Sequence, residues 1–73
     1  MKARDRRKAL EPIVRQIVGR RHVGESFEAV EAYAVSRLRP EADEQTREDV
    51  RVVARKIHGR NREIYRSVMG GSR

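Results

Sequence analysis

Four arginines, Arg51, Arg55, Arg62 and Arg66, are placed so that two pairs stand at i, i+4. On a helix turning about 100° per residue, all four fall within an arc of about 60°. A guanidinium is a planar, permanently charged fork that matches a phosphate or the edge of a guanine. The chemistry this spacing suits is therefore anion recognition by a helix face, not bond-making. The competing reading is a solvated face that recognises nothing. Such a face usually mixes signs, and here Glu63 is the only acid after Asp49. A second basic group lies at the start, in "KARDRRK", with Arg4, Arg6, Arg7 and Lys8. Mobile basic arms of this kind reach phosphates or minor grooves, and they also occur as plain solubilising tails.

Charge is segmented along the chain. Residues 1–22 carry a net +6, residues 23–49 a net −5 and residues 50–73 a net +6, for a total of +7 on 73 residues. Neutralisation between the blocks leaves that surplus outstanding. A surplus of this size on so short a chain favours polyanions, above all nucleic acid, and duplex DNA is the expected partner. The alternative is a protein–protein adaptor or inhibitor. Its acidic middle, with Glu25, Glu28 and Glu31, would dock on a basic surface of a larger nucleic-acid-processing machine.

Other chemistries lack their residues. There is no cysteine, so thiol nucleophiles, disulfides and thiolate metal sites are excluded. His22 and His58 have no HxxxH or HExxH spacing, so both are expected at the surface and no metal is expected. No phosphate-cradling glycine loop of the GxxxxGK[ST] or GxGxxG type occurs. The acids do not alternate as an EF-hand loop requires. With neither a pocket-sized core nor a catalytic constellation, an enzyme and a cofactor are not expected. Tyr33 and Tyr65 could stack on bases, but both lie on or beside apolar stripes, where packing is their expected role. No run reaches the roughly 18 apolar residues of a membrane span, and no signal peptide is recognisable, so the cytoplasm is the expected compartment.

The elements that must position these residues are helical. Leu10, Ile13, Val14, Ile17 and Val18 follow helical spacing, and Pro12 suits a first turn, so the first helix is expected from about Pro12 to Arg21, with Gly24 beyond its end. Ser26 is an N-cap candidate for a second helix with the stripe Phe27, Val30, Ala34 and Leu38, ended by Pro40. The acidic linker "RPEADEQ" has room for one helical turn. Thr46 with Asp49 has the capping-box spacing for a third helix. Its stripe, Val50, Val53, Ala54, Ile57, Ile64, Tyr65 and Val68, stays in phase across Gly59. That favours one continuous helix of about 24 residues over a helix-turn-helix-like break near Gly59, for which "HGRN" argues. The expected fold class is all-α, a small three-helix bundle. Residues 1–11 form a basic arm or frayed helix, 12–69 the single helical domain and 70–73 a flexible tail. The small core and the opposed charge blocks predict a homodimer at micromolar concentration.

Overall fold

The computed structural model describes residues 2–70. Among them there are no strands, and three helices pack against one another: α1 (Ala3–Ile17), α2 (Phe27–Ser36) and α3 (Glu44–Gly70). A short 3-10 turn, Arg20–His22, joins α1 to α2. The tail expected at 70–73 lies outside the described residues except for Gly70, which ends α3.

α1 begins nine residues before the expected boundary at Pro12, which sits inside it. An interior proline removes one backbone hydrogen bond and crowds the preceding turn, at about 3 kcal/mol. Tertiary contacts of the segment before Pro12 offset that cost. Leu10 packs on the core, Glu11 Oε2 accepts from Lys56 Nζ at 3.1 Å, and both Arg6 and Arg7 reach Asp49 on α3. Of the two readings of residues 1–11, a basic arm or a frayed helix, residues 3–11 are helical, and they are docked on α3 rather than frayed. α1 stops at Ile17, because Val18 turns extended (φ −101°) and buries its side chain.

Ser26 caps α2 as its type suggests, its Oγ accepting from Ala29 N at 3.1 Å. The cap of α3 is not Thr46 but Asp43, which accepts from Thr46 N at 2.8 Å. That bond, together with the Thr46 hydroxyl, holds the Asp43 carboxyl below its ordinary range. The linker forms one tight turn, Ala42 N donating to Arg39 O, rather than a helical turn. Arg47 closes it by donating to the carbonyls of Ala42 and Pro40. α3 runs through Gly59 without interruption.

The contacting pairs fix the directions of the helices. Arg6–Asp49 and Glu11–Lys56 ascend together, so α1 is parallel to α3. Phe27 packs beside Gly59 while Glu31 reaches Arg55, so α2 is antiparallel to it. The core is Val14, Val18, Val30, Ala34, Val50, Val53, Ala54 and Ile57. Ile13, expected in the α1 stripe, is 55% exposed. The α3 stripe is buried only through Ile57. Ile64 and Val68 stand 47% and 67% exposed, because α3 extends past the ends of its two partners.

Both histidines are buried, contrary to the surface placement their spacing suggested. His58 Nε2 lies 2.8 Å from Glu25 O, a group that only accepts, so Nε2 carries the proton. His22 Nδ1 lies 3.0 Å from Glu25 Oε2, and the His22 ring stacks obliquely on Tyr33. His58 Nδ1 is buried without a hydrogen-bond partner among the described residues. Among the described residues no group of three potential ligands could hold a metal ion.

Candidate nucleic-acid interface

The outer face of α3 is organised around Phe27, the first residue of α2. The Ser26 cap sets the entry of α2, and Phe27 then lies across α3 with its edge against the His58 ring, centroids 5.3 Å apart. Gly59 leaves room beneath it; a Cβ there would meet Phe27 at 3.6 Å. Two arginines close over the ring, with the Arg55 and Arg62 guanidinium carbons 4.9 and 5.3 Å from its centroid. A cation over an aromatic face keeps its full charge toward solvent while its apolar stem is sheltered. Arg55, Lys56, Arg60, Arg62 and Arg66 border a shallow cleft of about 650 Å³ with this ring at its floor. Glu63 is the one acid on its rim.

The four arginines of the arc share one helix face but not one electrostatic state. Arg51 donates to Glu48 at 3.1 Å and Glu44 at 3.4 Å. These bonds, that to Glu44 foremost, raise its affinity for the proton further. Arg55 donates to Glu31 Oε2 at 2.9 Å. Among the described residues Arg60, Arg62 and Arg66 make no ion pair with a carboxylate, although the Arg60 charge adds to those that lower the Glu11 carboxyl. The uncompensated charge thus lies toward the C-terminal half of α3, where the helix leaves the bundle.

The basic residues of the N-terminal segment divide in the same way. Arg6 and Arg7 each donate through Nε to Asp49, at 2.9 Å, and Asp49 is 2% exposed. The pairing with Arg6 first, and then Arg7, holds the Asp49 carboxyl below its ordinary range against the opposing effect of burial. Arg4 and Lys8 are exposed and border a second basic depression with Lys56. The acids of the alternative reading are dispersed. Glu25 holds His22, Glu31 holds Arg55, and Glu28 is exposed on α2.

Three participants escape a reading of the arc alone. Lys56 and Arg60 are themselves an i, i+4 basic pair, a signal present in the sequence beside the arc. Phe27 carries no such signal, because only the packing of α2 on α3 brings it beneath Arg55 and Arg62. No protein-family model, no curated protein and no solved structure matches this chain. The arrangement can hold anions and present flat cationic surfaces; the described residues bring no nucleophile and base together in it.

Proposed function

We propose that this is a small nucleic-acid-binding accessory or regulatory protein that contacts the phosphates of duplex DNA through the outer face of α3. The observation that carries the reading is the group Arg60, Arg62 and Arg66, cations without a carboxylate partner among the described residues, on a helix that projects beyond its bundle. A projecting helix fits a major groove, which is wide enough to admit one. Arg4 and Lys8 extend the positive surface to its flank, while Arg55 and Lys56 border it with their charge shared with Glu31 and Glu11. Arg6, Arg7 and Arg51 contribute through their internal pairs, by holding the helices that carry the surface. The role is binding rather than catalysis. Among the described residues no helix is long and apolar enough to cross a membrane.

Self-association belongs to the same proposal. Val50, Ala54, Ile57, Asn61, Ile64 and Val68 follow alternating steps of four and three, the spacing of a coiled-coil seam, with Asn61 at a seam position. α1 and α2 occupy the first half of that seam, and Ile64, Tyr65 and Val68 remain open for a second copy. The open patch is three side chains, where a stable interface takes roughly 20–30 residues a side, so the dimer is weak.

A mobility shift with random duplex and single-stranded probes at two salt concentrations tests the function. Duplex affinity that falls steeply with salt is the expected result. Absence of duplex binding at low salt, together with capture of one protein partner that depends on Glu28, would replace this reading with the adaptor reading.

A further inference from the structure

Arg60, Arg62 and Arg66 lie on the outer part of α3, each without an ion pair to a carboxylate among the described residues. They differ in what lies beneath them. The Arg62 guanidinium carbon stands 5.3 Å from the centroid of the Phe27 ring, inside the roughly 6 Å reach of a cation–π contact. Arg62 is half-buried. Arg60 and Arg66 are exposed, and among the described residues neither lies over an aromatic ring.

The ring that carries Arg62 is itself held in place. Phe27 follows the Ser26 cap at the start of α2, sets its edge on the buried His58 ring and lies where Gly59 has no side chain. Arg55 lies over the same ring, at 4.9 Å, but its guanidinium donates to Glu31 at 2.9 Å. An aromatic ring attracts a guanidinium through its quadrupole and presents no oxygen to it, so the contact consumes none of the five N–H donors. The Arg62 guanidinium makes no hydrogen bond among the described residues, so it is ordered by the ring and still open at its donors.

We propose that Phe27 is a positioning residue for nucleic-acid binding, which orders the Arg62 guanidinium before a backbone phosphate arrives. An arginine on a bare helix surface gives up the rotamer freedom of a long side chain when it grips a phosphate, and that loss subtracts from affinity. Phe27 has already imposed this ordering on Arg62 in the free protein. Arg60 and Arg66 undergo it only on binding. Arg62 is therefore the anchoring contact of the surface, although it has the same charge as Arg66 and shares its helix face. The inference rests on the nucleic-acid reading, and it adds a role for an uncharged residue of α2 that itself touches no phosphate.

The test measures binding of the full chain to a random-sequence duplex by fluorescence anisotropy over a series of salt concentrations. Phe27→Leu keeps an apolar side chain and removes the ring. It should weaken binding by about two- to fivefold, the equivalent of one exposed cation–π contact. The slope of log K against log salt should stay as in the parent, because no cation is lost. Phe27→Tyr, which keeps the ring, should restore the parent affinity. In an Arg62→Ala background the Phe27→Leu change should cost nothing further. A loss of equal size in that background would show that Phe27 acts only through the fold, and it would overturn the proposal. Side-chain nitrogen relaxation of the free parent gives a readout that no variant's folding can disturb. The Arg62 Nε–H should be more ordered than that of Arg66, and equal order overturns the proposal. Failure of the parent to bind duplex at low salt sinks the function proposed above and this inference with it. Duplex binding that Phe27→Leu leaves unchanged sinks this inference alone.

Discussion

Arg6 donates through Nε to Oδ2 of Asp49 across 2.9 Å, and so joins the first turns of α1 to the beginning of α3. Arg7 takes the other oxygen at the same distance, and Gln45 donates to it at 3.3 Å. A carboxylate that is 2% exposed thus has both oxygens occupied by neighbours that carry or share the compensating charge.

This pair predicts a pH dependence. The folded Asp49 carboxyl is held below its ordinary value, first by the Arg6 hydrogen bond. A carboxyl of this kind contributes stability fully above the unfolded aspartate value of about 3.9, and loses it as pH falls through the lower folded value. Thermal unfolding of Asp49→Asn should therefore begin lower than that of the parent at pH 7, with the gap closing below about pH 4. A gap of equal size at pH 7 and pH 3 would show that the ion pair contributes nothing.

Gly59 predicts a gain. A helical interior glycine costs about 1 kcal/mol relative to alanine. The added Cβ would meet Phe27 at 3.6 Å, an ordinary contact. Gly59→Ala should raise Tm by about 4–8 °C, as expected for 1 kcal/mol on a domain of this size. A lowered Tm would mean that Phe27 cannot tolerate the contact.

The arginine arc predicts a graded response in DNA binding. Arg62→Ala and Arg66→Ala should each flatten the slope of log K against log salt by about 0.9. Arg51→Ala should change it less, because Glu44 and Glu48 already occupy its guanidinium. Glu31→Ala releases Arg55 and should strengthen binding. Equal effects from Arg51 and Arg66 would contradict the division of the arc into halves with and without a carboxylate partner.

The core predicts a loss that is independent of ligand. Val14 is fully buried between α1 and α3. Val14→Ala removes two methylene equivalents, at about 0.8 kcal/mol each plus a cavity term, so chemical denaturation should report a loss of about 2 kcal/mol. A loss below about 0.5 kcal/mol, the size of a surface change, would place Val14 outside the core.

Light scattering at several hundred micromolar checks the weak dimer. A monomer at that concentration rules it out. If a dimer is seen, Ile64→Glu should dissolve it and leave Tm unchanged at dilutions where the parent is a monomer, because Ile64 is exposed in the single chain.

The helical nature of the chain was legible from spacing alone, because a 3.6-residue period is a local property of the sequence. The phase of the α3 stripe favoured the continuity observed but left a break at Gly59 open. Which stripe residues are buried was not legible, since Ile13, Ile64 and Val68 are exposed. The Ser26 cap was legible, since a cap acts within three residues. The start of α1 was not. Local rules place Pro12 in a first turn, and the contacts that sustain helix before it come from Asp49 and Lys56, more than forty residues away. The burial of His22 and His58 was equally hidden, because it depends on Glu25 and Phe27 being folded against them. The arginine face was visible as a pattern, but its division into neutralised and open charges was not. Ion pairing is decided by which carboxylates the fold brings within about 4 Å, and Glu31 reaches Arg55 only because α2 lies antiparallel on α3.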